Sequence, residues 1–277
     1  MRTSSSAPSP RANRSLCPHE KHSHHRIAAK DVRSLFVSPV AYVVLTGFLL
    51  LGGWFFFNLL YRFNYLLSVY SNLQGFEAMQ GLNLNEFVMS PLLHNLTIIL
   101  IIMVPIITMR SFAEEKRSGT YELLMTSPLT VTELVLGKFL GCLFFLLLMI
   151  VAAGVYPAIL LYYGNPEVPP LIMGYFGLFM IGSVFVSVGV LTSSLTENQI
   201  VSAVVCFVTL LLLYAMSWPA GSTSVFVGNI LKYLSVVEHF NVVVKGLLDT
   251  RDLVYFVSLI VLFLFLTQRA VESSRWR

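Results

Sequence analysis

Residues 111–139 read SFAEEKRSGTYELLMTSPLTVTELVLGKF, and long apolar runs flank them on both sides. The densest charge cluster of the chain lies in this gap. Ser111 followed by Glu114 fits a capping box, in which the hydroxyl takes one orphan backbone N–H and the carboxylate another. Thr130 with Glu133 fits a second box. Between them, Pro128 drives Ser127 away from helical geometry. The pattern predicts a helix over 112–125, a break, and a second helix from Val131 into the next apolar run. Glu114 and Glu115 then occupy a first turn, where the helix dipole favours negative charge. Gly119 in a helix interior costs about 1 kcal/mol against Ala, which points to a bend or a close backbone approach. Tyr121, Leu123, Leu124 and Met125 would give the helix a docking face; a solvated loop with ordinary caps carries the same pattern.

The flanking runs decide the solvent. Of 277 residues, 56% are hydrophobic and only 12% charged, against about 25% charged in soluble domains. Six apolar runs lie near 39–61, 91–109, 135–160, 171–195, 200–218 and 253–268. Crossing the hydrocarbon takes about 20 residues, so the expected fold is an all-α integral membrane domain with six spans over 28–277. The sixth run is short and needs flanking residues such as Asp252. Pro39 opens the first run at a helix start, where its missing N–H is harmless. Ahead of it, Ala28, Val32, Leu35 and Phe36 recur at helical spacing among Lys30, Asp31 and Arg33, as in a helix lying in the membrane interface. Residues 1–27, rich in Ser, Pro, His and Arg, have no apolar period and read as a disordered tail.

Lys and Arg counts orient the spans. With the N-terminus inside, fourteen of the eighteen fall on the inner side and four outside. Both termini are therefore expected in the cytoplasm, and 110–134 becomes the main inner loop. The other inner connection, Thr196–Gln199, is a tight turn. The basic balance serves orientation here and implies no nucleic acid. Three cysteines, Cys17, Cys142 and Cys206, make neither a disulfide framework nor a zinc spacing.

Few ionisable groups lie within the runs. His94, near the outer end of the second, is the candidate for substrate or proton contact, with Asn95 and Thr97 beside it. Pro105 and Pro157 are expected to kink their helices. Between the last two runs, Ile230, Leu231, Leu234 and Val237 recur at helical spacing, which predicts an outer interfacial or re-entrant helix. Glu238 and His239 are adjacent, so they do not face each other on a helix and make no catalytic pair. No metal site, catalytic set or directly bound cofactor is expected. No G-x-x-x-x-G-K-[ST] occurs, so the chain lacks a P-loop phosphate cradle.

The stretch FAEEKRSGTYELLMTSPLTVTELVLGKFLG resembles the cytoplasmic signature of ABC-2 type transporter permeases. Glu114, Glu115, Lys116, Gly119, Thr120, Glu122, Leu124, Ser127 and Pro128 fill that pattern. KDVRSLFVSPVAYVV is similar to the family's N-terminal elbow helix and first span. The C-terminal DTRDLVYFVSLIVLFLFLT resembles the gliding-motility-type branch. The resemblance covers the chain from about residue 27; the tail departs from it.

What the resemblance implies is a permease subunit of the bacterial cytoplasmic membrane, with exporter activity. A separate cytosolic ABC ATPase would supply ATP hydrolysis, and a second permease subunit, identical or related, would complete the transmembrane unit. The inner loop would hold the coupling helix, with Phe112, Glu114, Glu115, Lys116, Arg117, Gly119, Thr120, Tyr121, Glu122, Leu124 and Pro128 at the ATPase contact. His94, Asn95 and Pro105 are the candidates for the transport path. Two other classes fit the residues less closely: a membrane scaffold with a docking loop, and an ion-coupled secondary transporter. The latter is disfavoured by the scarcity of charges in the spans and by the lack of visible inverted repeats.

Overall fold

In hydrocarbon every backbone N–H and C=O needs a partner within the protein, and an apolar run meets that need alone only as a helix. The computed structural model describes residues 39–73, 83–119, 130–164, 166–216, 218, 225–247 and 249–274, and every regular element among them is helical. In chain order these are α1 (Pro39–Leu73), a π-helical turn (Asn85–Met89), α2 (Ser90–Thr108), α3 (Arg110–Arg117), α4 (Val131–Ala153) and α5 (Val155–Tyr163). Then follow α6 (Val168–Leu195), α7 (Gln199–Ala215), α8 (Val225–Leu234), α9 (Val236–Val244) and α10 (Thr250–Ser274).

Five stretches among the described residues are long and apolar enough to cross a membrane: Pro39–Val69, Asn85–Arg117, Val131–Tyr163, Val168–Leu195 and Thr250–Ser273. The fifth apolar run forms α7, of 17 residues, about 25 Å at 1.5 Å per residue. One expected boundary needs correction: α1 continues to Leu73, well beyond 61. The sixth run recruits flanking residues as expected: α10 has 25 residues and takes Asp252 into its first turn. Packing accounts for the extra turn, because Asp252 is buried against His239 of α9. The expected interfacial helix ahead of Pro39 and the tail over 1–27 lie outside the described residues.

The third run is interrupted at Gly154. Pro157 has no N–H to offer the Ala153 carbonyl; the Tyr175 hydroxyl donates to that oxygen instead, at 2.9 Å. Pro105 lies inside α2 without ending it.

α6 is the hub. It packs against α2, α3, α4, α7, α9 and α10, and its stretch from Ile181 to Val190 is buried throughout. Small residues let neighbouring backbones come close in such bundles. A Cβ on Gly189 would lie 2.2 Å from Thr108 Oγ1, and one on Gly182 would lie 2.9 Å from Leu146 Cδ2. α2 and α4 are thus seated on α6 where it has no side chain.

Candidate functional site

α3 continues the line of α2 with only Met109 between them. Met109 itself is helical, at φ −55 and ψ −28, and no side chain caps the start of α3. The capping box expected at Ser111 and Glu114 is therefore absent, since the helix already begins at Arg110. Glu114 and Glu115 fall in the second turn, not the first. The N–H groups of Phe112 and Ala113 are instead taken by Ser193 Oγ of α6, at 2.9 and 3.2 Å. The Ser193 hydroxyl donates in turn to the Met109 carbonyl at 3.2 Å. The second capping box is present as expected: Glu133 N donates to Thr130 Oγ1 at 3.3 Å, and Thr130 N donates to Glu133 Oε2 at 2.9 Å.

α3 ends where the sequence pattern expected its middle. Ser118 N donates to the Glu114 carbonyl at 2.9 Å, and Gly119 follows at φ +70. That left-handed geometry suits glycine at the residue after a helix end. A Cβ there would meet no described atom within 4 Å. Gly119 therefore serves as a helix stop, and no close approach is made to it among the described residues. Thr120, Tyr121, Glu122, Leu124, Ser127 and Pro128 lie outside the described residues.

Helical periodicity splits α3 into two faces. Phe112 and Ala113 are fully buried, Glu115 and Lys116 are half-buried, and Glu114, Arg117, Ser118 and Gly119 are exposed. The inner face is tied down twice. Lys116 Nζ donates to the carbonyl of Ser194, near the end of α6, at 2.6 Å. This occupies one of the carbonyls that a helix C-terminus leaves without an internal donor. Glu115 Oε1 pairs with Lys138 Nζ of α4 at 2.7 Å. The same ammonium donates to the Ser111 carbonyl at 2.5 Å and lies 5.1 Å from the centre of the Phe112 ring.

Lys138 is the residue that sequence reasoning undervalued. It counts as one of the loop charges by position, yet it is only 4% exposed. A buried ammonium needs a counter-charge and hydrogen-bond acceptors, or its desolvation goes uncompensated. α3 supplies the carboxylate, the carbonyl and the ring face. Nothing local in the sequence signals this, because the partners lie more than twenty residues upstream across a proline break.

At the opposite end of the bundle, His94 is held on both ring nitrogens. Nδ1 lies 2.8 Å from the Ser90 carbonyl and Nε2 lies 2.5 Å from the side-chain amide of Asn241 in α9. The Phe240 ring packs edge-on at 5.3 Å. Asn95 is half-buried beside it, and Pro105 is buried further along α2. The three candidate path residues thus share one helix but no common cluster. His239 pairs with Asp252 of α10 at 2.6 Å rather than with Glu238, and its ring stacks on Tyr255 at 4.0 Å. α9 is thereby clasped to α2 on one side and to α10 on the other. The helix expected from the spacing of Ile230, Leu231 and Leu234 is present as α8; Val237 falls in α9.

Comparison with curated proteins finds no matching relative. The family model described as ABC-2 family transporter protein matches residues 26–271. With five helices able to span a bilayer, this is a multi-pass membrane protein. The match covers all but the last few residues of the described bundle, and the chain belongs to the ABC-2 transporter family.

Proposed function

We propose that the chain is the permease subunit of an ATP-driven exporter in a bacterial cytoplasmic membrane. A separate cytosolic ATPase docks on α3 and the residues that follow it. A second permease, identical or related, completes the transmembrane unit. In this reading the α3 end and both termini face the cytoplasm, in keeping with the Lys and Arg count.

The observation that carries the reading is the two-faced anchoring of α3. Its inner face is bound to α4 and α6, so a force on the helix is not lost in a slack loop. Its outer face, with Glu114 and Arg117, is exposed and open to a protein partner. Exposed ion pairs contribute only about 0–1 kcal/mol each. Charges at this face therefore orient the partner, and the apolar Tyr121 and Leu124 supply much of the affinity. The chain's own part is to receive movement at α3 and change the packing around α6. Hydrolysis of ATP belongs to the partner.

Purification of the intact protein from native membranes, followed by mass spectrometry of co-eluting chains, tests the proposal. A P-loop ATPase in stoichiometric amount, lost on Glu114→Lys with Arg117→Glu, is the expected result. Full recovery without any ATPase, under conditions that keep other membrane complexes whole, would favour a scaffold.

A further inference from the structure

We infer that His239 and Asp252 share one bound proton, that this proton latches α9 to α8 and α10, and that the latch opens as pH rises. The inference goes beyond the permease reading and needs no ATPase partner.

The proton count follows from what surrounds the ring. His239 Nδ1 faces Asp252 Oδ1 at 2.6 Å, and Nε2 faces the Tyr233 carbonyl at 2.9 Å. A carbonyl only accepts, and so does an ionised carboxylate. A neutral imidazole brings one N–H. It satisfies one side and leaves lone pair against lone pair on the other. The arrangement closes only with one proton more, carried by the ring or by the carboxyl. Two helix ends place it on the ring. Tyr233 lies in the last turn of α8, whose free carbonyls favour a cation, and Asp252 lies in the first turn of α10, which favours an anion. His94 is the contrast. Its Nε2 faces the Asn241 side chain, and that amide, turned over, presents an NH2 group that satisfies a neutral ring.

The surroundings suit a held charge. The His239 and Asp252 side chains are only 11% and 7% exposed. Tyr255 stacks on the ring at 4.0 Å, and Tyr233 meets it edge-on at 5.7 Å. The Tyr255 hydroxyl donates to the Leu234 carbonyl at 2.6 Å and so braces the end of α8 beside the ring. Asp252 Oδ2 is buried without a hydrogen-bond partner. Lys232 on α8, Lys245 and Asp249 after α9, and Arg251 on α10 are exposed, and Glu238 on α9 is half-buried. Among the described residues none of these five bonds to the pair. α6 and α7, which also pack on α9, carry no Asp, Glu, Lys, Arg or His, and α2 carries only His94. The α4 charges, Glu133 and Lys138, lie at the α3 end of the bundle.

At acid pH the proton is in place and the clasp is complete. As pH rises it leaves, and one ring nitrogen faces an acceptor with no donor between them. α9 then keeps its apolar seat on α6, where a Cβ on Gly177 would lie 2.8 Å from Val243 Cγ1. It also keeps Asn241 on His94. What it loses is the tie to α8 and α10. In the permease reading this end faces away from the cytoplasm, so the latch senses pH on that side.

Hydrogen exchange of the purified full chain in lipid nanodiscs tests the latch at about pH 5.5 and 8.5, either side of the ordinary imidazole range. Rates are corrected for the intrinsic pH dependence of amide exchange, and α6 is the internal reference. In the parent, protection over 236–244 falls about tenfold or more at the higher pH, the scale of one hydrogen bond to a charged group, while that of α6 holds. Asp252→Asn and His239→Gln each lower protection at acid pH and abolish its pH dependence. His94→Gln keeps the parent's response. Equal protection of α9 at both pH values in the parent overturns the inference. So does a response that survives in His239→Gln, or one that disappears in His94→Gln. None of these outcomes depends on an ATPase, so the co-purification above judges the permease reading separately.

Discussion

At the residue scale, the acidic pair Glu114 and Glu115 divides two tasks between neighbouring positions. Glu114 is exposed, whereas Glu115 balances the buried Lys138. Glu115→Gln is expected to destabilise the protein by a few kcal/mol, below the 3–5 kcal/mol of a fully buried broken pair because Glu115 keeps some water. Glu114→Gln, on the surface, stays within about 0.5 kcal/mol. Thermal unfolding in one detergent compares the two; equal effects would contradict the buried pair. Gly119 makes a second residue-level case. Its φ of +70 is strained for a β-branched side chain and tolerated by asparagine. Gly119→Val therefore lowers the unfolding temperature more than Gly119→Asn, although both side chains have room.

At the element scale, helix starts distinguish local from remote capping. The Thr130 cap is made within its own turn. Thr130→Ala is expected to lose about 1 kcal/mol, as for other lost N-caps. Ser111→Ala changes stability little, because its hydroxyl caps nothing; Ser193→Ala strands the N–H groups of Phe112 and Ala113 and costs about 1–3 kcal/mol. Unfolding midpoints for the three variants give the order Ser193, Thr130, Ser111. At the far end, α9 depends on side-chain clasps for its position. Asp252→Asn removes the charge facing His239, and hydrogen exchange across 236–244 is expected to speed up while that of α6 is unchanged. Unaltered exchange in α9 would mean that its apolar seat alone holds it.

At the scale of the whole molecule, α6 is where the bundle is assembled. It touches α3 at one end and α9 toward the other, so both ends respond to its packing. Gly189→Val would place a side chain on Thr108. Overpacking of this kind costs about 1–3 kcal/mol. The expected outcome is a lower unfolding temperature for the entire bundle, with weaker anchoring of α3 seen as faster exchange over 110–117. A change confined to α2 would argue against α6 as the common support.

The sequence alone determined the solvent, the helical class and the placement of most spans, because apolar runs bounded by polar residues carry that information locally. It also determined the start of α4, since the Thr130 cap is formed within three residues. The ABC-2 signature was legible for the same reason: it is a contiguous stretch. Other features depended on residues far apart in the chain. The true start of α3 depends on Ser193, and the buried state of Lys138 on Glu115. Only the tertiary structure decided these, because a buried polar group finds its partner through packing rather than spacing. The division of α3 into an anchored face and an exposed one has the same origin: α4 and α6 supply the anchors through residues more than twenty positions away along the chain.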